Sequence, residues 1–232
     1  MTNIQILSDE LISQIAAGEV IERPASAVKE LVENSIDAGA SRVAVELEEG
    51  GLRKIRIVDN GHGVKSEQVR LAFERHATSK LLTRDDLFSI SSLGFRGEAL
   101  ASIASIAKVI MKTRATEERV GREIEISGSK ELRFEEAACE AGTDIQIFGL
   151  FQHTPARRKY MKTEITEYGR VFDLLSRIAL AYPAIAFRLK NDGKIIFDLP
   201  SGQSLKERVR VLFGNETAAG LLPLGYAQSN LQ

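Results

Sequence analysis

Apolar residues recur three and four apart between positions 24 and 39, then every second position from 43 to 57. The first period predicts a helix and the second a pair of strands. In the helix, Val28, Leu31, Val32 and Ser35 form the buried stripe. Pro24 suits its first turn and Gly39 its C-terminal end. Upstream, Ser8 can cap a short amphipathic helix that carries Leu11, Ile12 and Ile15 and stops near Gly18. Val43, Val45 and Leu47 alternate with charged or small residues; Gly50-Gly51 turns the chain, and Ile55 and Ile57 resume the alternation. Residues 66–76 read as helix. A polar, glycine-punctuated stretch over 78–97 separates them from another helix that begins near Glu98. Short strands follow around 109–111, 123–126, 132–134 and 144–148. A long helix over 164–180 carries Tyr168, Val171, Leu175 and Ile178, and strands at 187–189 and 195–197 join through Asn191-Asp192-Gly193 as a hairpin.

Helices and hairpins mixed in this way predict an α+β fold with a largely antiparallel sheet. The chain has no internal repeat or low-complexity segment. Pro200-Ser201-Gly202 is the expected boundary, giving one domain over residues 1–200 and, over 201–232, the start of a second domain too short for its own core. Composition narrows the setting more than the chemistry. The 232 residues carry 31 Lys and Arg against 32 Asp and Glu, so no global field points to nucleic acid or membrane, and polyanion binding must come from local patches. A single cysteine, Cys139, excludes disulfides and thiolate metal sites, and His62, His76 and His153 lack ligand spacing. The N-terminus has no basic segment followed by an apolar run, and no stretch reaches membrane-spanning length. The expectation is a soluble, reducing, cytoplasmic setting, without a membrane partner.

Three short segments carry candidate chemistry. Glu30 and Asn34 are four apart on the first helix, so both project from one face beside the apolar stripe. A carboxylate there can take a proton from water, and an amide oxygen one turn away can join an oxygen shell around Mg²⁺. The same residue types are also common on a solvated helix face. Asp59-Asn60-Gly61-His62-Gly63 ends a strand. A glycine-bounded bend lets backbone approach a planar ring while Asp59 accepts from an exocyclic amine; Asn-Gly is equally a hairpin turn. Gly94-Phe95-Arg96-Gly97-Glu98-Ala99-Leu100 puts two glycines and an arginine at a helix N-terminus, where phosphate is a natural guest. Thr78, Ser79 and Lys80 could reach the same phosphates, or the whole could be a polar loop capping a helix. The run Thr154-Pro155-Ala156-Arg157-Arg158-Lys159 with Lys162 is the densest basic segment, either solvated surface or a contact for a nucleic-acid backbone.

Taken in order, Glu30-x-x-x-Asn34, Asp59-x-Gly61-x-Gly63, Gly94 to Leu100 and Gly142-Thr143 resemble the four motifs of the GHKL ATPases. Gln14 to Val20, Glu22-Arg23-Pro24, Lys29 to Gly39, Arg75 to Lys80 and Thr154 to Lys159 narrow the resemblance to the MutL mismatch-repair family, over residues 4–200. That resemblance implies a two-layer α/β sandwich of Bergerat type with a mixed, mostly antiparallel sheet. It implies Glu30 as general base, Asn34 as Mg²⁺ ligand and Asp59 as reader of the adenine amine. Gly63 joins the ATP site, Thr143 supports the adenine end, and Thr78, Ser79 and Lys80 with Gly94, Arg96, Gly97, Glu98, Ala99 and Leu100 form the lid and phosphate loop. ATP and Mg²⁺ are the implied cofactors. The implied partners are DNA held by its backbone through Arg157, Arg158, Lys159 and Lys162, a mismatch-recognition protein, a downstream nuclease or helicase, and a second copy in an ATP-dependent homodimer.

The chain departs from the family at Gln152-His153, where members usually read Tyr-Asn. Members also continue past the position of Gln232 into a segment that returns a lysine to the γ-phosphate. The expectation is therefore an N-terminal fragment that binds nucleotide weakly and hydrolyses it poorly. Two other readings compete: a non-catalytic scaffold for protein or DNA contacts, and another GHKL member such as a histidine kinase. Kinases normally lack the glutamate of the first motif, so Glu30 argues against the second.

Overall fold

The computed structural model describes residues 12, 17–18, 20–78, 80, 93–94 and 97–222. The expected Ser8-capped helix therefore lies mostly outside the described residues, as do Ser79 and Arg96. Among the described residues, eight strands form one sheet: β1 (Arg42–Glu48), β2 (Lys54–Asp59), β3 (Lys108–Arg114), β4 (Gly121–Ser127), β5 (Lys130–Ala137), β6 (Gly142–Phe148), β7 (Ala186–Asn191) and β8 (Lys194–Leu199). Their spatial order is β5-β4-β3-β6-β2-β1-β7-β8. Every neighbouring pair is antiparallel except β1 and β7, so the sheet is mixed and mostly antiparallel, as the residue pattern predicts.

Strand alternation divides the sheet into a dry face and a wet one. Val43, Val45, Leu47, Ile55, Ile57, Val109, Met111, Ile124, Ile145, Ile147, Phe187 and Leu189 are buried on the dry side. Each such burial contributes about 2 kcal/mol. Among the described residues three helices cover it: α1 (Pro24–Asp37) over β1 and β2, α2 (Ala99–Ile106) over β3 and β4, and α4 (Glu164–Ala181) over β7 and against α1. α1 buries Ala27, Val28, Leu31, Val32 and Ser35, and Gly39 follows its end at φ 70°. The opposite face is a lattice of ion pairs. Lys190 binds Glu46, which Arg56 also holds. Arg56 forks onto Asp144 at 2.8 and 3.1 Å, and Lys112 and Arg133 share Glu123.

Two expectations need correction. Residues 66–76 are two single 3₁₀ turns, Ser66–Gln68 and Leu71–Phe73, not one helix. Only Val69 there is fully buried, while the neighbouring Arg70 is drawn to Glu131 of β5 and over the Phe134 ring, so the apolar face never seats as a stripe. Gly18 does not stop its helix: its backbone is helical and Ile21 N–H donates to the Ala17 carbonyl. A Cβ at Gly18 would fall on the Arg157 guanidinium, so that close approach accounts for the glycine.

After β8, α5 (Leu205–Phe213) starts on a capping box of Ser204 and Glu207 and packs on α4 and β8. It is fastened by Arg208, which is fully buried and donates to the carbonyls of Ala179, Tyr182, Pro183, Ile185 and Pro200. Several of these belong to the C-terminal end of α4, where carbonyls lack helical partners and a cation is favoured. Arg208→Ala is expected to lower unfolding free energy in urea by about 3 kcal/mol, because it orphans several buried carbonyls. Arg208→Lys should fall between, having one nitrogen where Arg has a fork.

Candidate active site

The second strand ends where the first helix's buried stripe meets it. Ser35 Oγ donates to Asp59 Oδ2 at 2.8 Å, and Gly61 N–H donates to Oδ1 at 2.9 Å. The backbone of Thr143, the ladder partner of Asp59, adds a third bond. Burial pushes the Asp59 carboxyl above the ordinary carboxylate range, and these three donors only partly offset it. Around it the backbone comes unusually close: a Cβ on Gly142 would strike the Asp59 carbonyl, and one on Gly63 would strike that of Arg114. Both glycines have positive φ, at 115° and 69°. Behind Thr143, the buried Thr113 hydroxyl accepts the Val64 N–H at 3.0 Å, lies 3.0 Å from the Gly142 carbonyl and 3.1 Å from Thr143 Oγ1.

The hairpin reading of Asn60-Gly61 fails, because β2 runs on toward neither a tight turn nor a sequential partner. Asn60 is instead a strap. Its Oδ1 accepts the N–H groups of Ser41 and Arg42, and its Nδ2 donates to Ser41 Oγ. Gly61 sits against Ala38, and His62 N–H donates to the Ala38 carbonyl, so the turn is sewn to the end of α1.

One residue before Ser35, Asn34 turns toward the opposite half of the site. Its Oδ1 accepts Lys80 Nζ at 2.9 Å, and the same ammonium lies 2.5 Å from Asp37 Oδ2. Burial alone would push the Asp37 carboxyl up, but Lys80 and the N–H groups of Leu93 and Gly94 hold it below its ordinary value. A Cβ on Gly94 would come within 3.4 Å of Lys80 Nζ and 3.7 Å of Asn34 Oδ1, which places that loop against both. Lys80 N–H donates to Thr78 Oγ1, and Gly97, at φ 62°, packs on the backbone of Ala77. Glu98 precedes α2 and meets His76 Nδ1 at 3.1 Å, while Ala99 and Leu100 open the helix. Glu30 lies one turn before Asn34, half-buried, with Lys29 Nζ at 3.6 Å.

Consecutive residues Asn34 and Ser35 thus join a half rich in donors, around Lys80, Leu93 and Gly94, to the buried surroundings of Asp59. An amide oxygen already satisfied by a cation fits a divalent metal ion, and a buried carboxylate fits an amine. The basic segment lies apart. Arg157 donates to the Gly18 carbonyl at 2.7 Å, while Arg158, Lys159 and Lys162 are exposed at and beyond the short helix α3 (Pro155–Arg158). His153 bonds Ser127 and Gln152 there. Sequence reasoning passed over Thr113 and Asp37. Asp37 continues the Glu30–Asn34 face at the next turn, a signal that was readable; Thr113 stands at an inward strand position whose distant partners the spacing does not reveal.

Residues 21–146 match the family model for the histidine kinase-, DNA gyrase B-, and HSP90-like ATPases. The chain is 50% identical over 232 residues to the DNA mismatch repair protein MutL of Koribacter versatilis, covering 100% of this chain and 36% of that protein. It is 48% identical over 226 residues to MutL of Desulforamulus reducens, covering 97% and 35%. It therefore spans about a third of the length of these curated relatives. The Aquifex aeolicus MutL ATPase domain complexed with ADP aligns at 35% identity with a TM-score of 0.66, covering 84% of this chain and 70% of that one. The N-terminal domain of a DNA repair protein aligns at 28% identity with a TM-score of 0.77, over 90% and 62%. No described helix is long and apolar enough to cross a membrane.

The raised Asp59 carboxyl has a signed consequence for the ligand-free chain. Its contribution to stability is complete below its unfolded value of 3.8 and is lost as pH rises through the higher folded value. Asp59→Asn keeps an acceptor for Gly61, and its new N–H can face Ser35, whose hydroxyl also reaches the Leu31 carbonyl. Thermal melts from pH 4 to 8 should show this variant gaining on the parent as pH rises.

Proposed function

Since the chain belongs to the histidine kinase-, DNA gyrase B- and HSP90-like ATPases, in the branch whose curated relatives are MutL mismatch repair proteins, we propose that Glu30, Asn34 and Asp59 form a Mg²⁺-dependent ATPase centre serving that repair. The observation that carries this reading is the buried Asp59 carboxylate, fixed by Ser35, Gly61 and Thr143 beside the glycine-bounded turn. Asp59 reads the adenine amine, and Gly63 and Gly142 let the Arg114 and Asp59 backbone close in around it. Thr143 supports that end, backed by Thr113. Asn34 Oδ1 would hold Mg²⁺, which supplies charge neutralisation to the phosphates when bound.

Lys80, Thr78, Ser79, Gly94, Arg96 and Gly97, with the start of α2 at Glu98, Ala99 and Leu100, cradle the phosphates through an ammonium, a guanidinium and backbone N–H groups. Glu30 accepts the proton of the attacking water as its oxygen bonds the terminal phosphorus; the bond to the bridging oxygen breaks and ADP leaves. The relatives' repair role extends the proposal to a cytoplasmic or nucleoid setting, an ATP-dependent homodimer and signalling between a mismatch-recognition protein and a strand-incising partner. Arg158, Lys159 and Lys162 contact DNA phosphates without reading sequence, and Arg157, engaged with Gly18, anchors that surface to the N-terminal segment.

A non-hydrolysable ATP analogue with Mg²⁺ should raise the melting temperature of the chain by mass action. Asp59→Asn should lose the shift. Glu30→Ala should keep it while hydrolysis drops by about 100-fold or more. No shift in the folded parent chain would sink the ATPase reading. For the basic surface, the triple alanine variant of Arg158, Lys159 and Lys162 should flatten the slope of log affinity for duplex DNA against log salt by about 2 to 3.

A further inference from the structure

Asp37 has no part in the chemistry assigned above, yet three donors of the site converge on it. Its Oδ2 accepts Lys80 Nζ at 2.5 Å and the Gly94 N–H at 3.3 Å, and its Oδ1 accepts the Leu93 N–H at 3.1 Å. An ammonium and two consecutive backbone N–H groups are the donor set that a phosphate oxygen recruits. The same ammonium donates to Asn34 Oδ1, the oxygen assigned to Mg²⁺. Asp37 stands three residues beyond Asn34 and seven beyond Glu30, so it shares their helix face. Its side chain is only 13% exposed, which separates it from an ordinary solvated surface charge.

Resting on the nucleotide reading of this site, we propose that Asp37 is a positioning residue that acts through Lys80, holding the phosphate-binding donors in the nucleotide-free chain and yielding them when phosphate arrives. The exchange is between like partners: one anion releases the ammonium and the two N–H groups, and another takes them. The donors stay paired at both ends of the exchange, and the cost falls on the released, largely buried Asp37 carboxylate. When Lys80 moves to phosphate, Asn34 Oδ1 loses the cation that satisfies it and becomes available to the metal ion. Asp37 thereby weakens nucleotide binding while keeping the site assembled, and it couples the arrival of phosphate to the freeing of the metal ligand.

The test is a double-mutant cycle on the intact chain, with Asp37→Asn, Lys80→Ala and the pair, read by calorimetric titration of ADP with Mg²⁺ and of adenosine. Asp37→Asn should bind ADP about threefold tighter or more, the scale of a part-exposed ion pair, and leave adenosine unchanged. In the Lys80→Ala background the gain should shrink to about 1.5-fold or less. A gain of equal size in both backgrounds is simple charge repulsion and overturns the exchange. So does unchanged or weaker ADP binding by Asp37→Asn when its melting curve shows it folded; Asp37→Ser repeats the comparison should Asp37→Asn fail to fold. If the parent chain binds neither ADP nor adenosine, the nucleotide reading itself falls, which the parent titration reveals separately.

Discussion

The pairing of β2 with β6 is the constraint on which the site depends. It sets Asp59 opposite Thr143 at the end of the ladder and Ile57 opposite Ile145 two steps earlier. Because side chains alternate across a sheet, a slip of one residue would turn Asp59 away from Ser35 and put Ile55 and Ile57 on the wet face. The apolar residues resist that slip at roughly the full burial energy of each, and so they hold a carboxylate they never touch chemically. Gly142 completes the arrangement, since only a residue without a side chain lets β6 begin against the Asp59 backbone.

Helix α1 carries the other half of the design. Its inner stripe anchors it to β1 and β2 through Val28, Leu31 and Val32. The stripe ends in Ser35, a hydroxyl that belongs to the core by position and to the site by chemistry. Asn34, one residue earlier, looks outward to Lys80. A rotation of one residue, 100° of helix, separates Asn34 from Ser35, so α1 itself fixes the two halves relative to each other.

What was legible in the chain follows the range of the interaction. Alternation in β1 and β2, the stripe of α1, the glycine after it and the Asn191-Asp192-Gly193 turn are local patterns, and each lies in the element that the spacing predicts. Of the candidate segments, Asp59 and Thr143 meet at the end of one ladder, with Ser35 of α1 bonded to the same carboxyl. The segment over 66–76 misled because its helical spacing is overruled by contacts with Glu131 and Phe134, some sixty residues away. Thr113 and Arg208 were unreadable as functional positions for a related reason. Their partners, at Val64 and Gly142 for one and from Ala179 to Pro200 for the other, meet only after the sheet has closed.

Arg208 and the ion pairs of the wet sheet face are both charge devices, but ions in the medium act on them differently. The pairs around Glu46, Arg56 and Asp144 stand at the solvent boundary, where a Debye length of about 8 Å at physiological ionic strength already weakens them. Among the described residues Arg208 faces five neutral carbonyls and no carboxylate, and its full burial shuts out water and counter-ions. Concentrated salt would thus loosen the outer lattice while leaving the joint between α4 and α5 at full strength, so the corner that follows the sheet is held by a charge that its ionic surroundings do not reach.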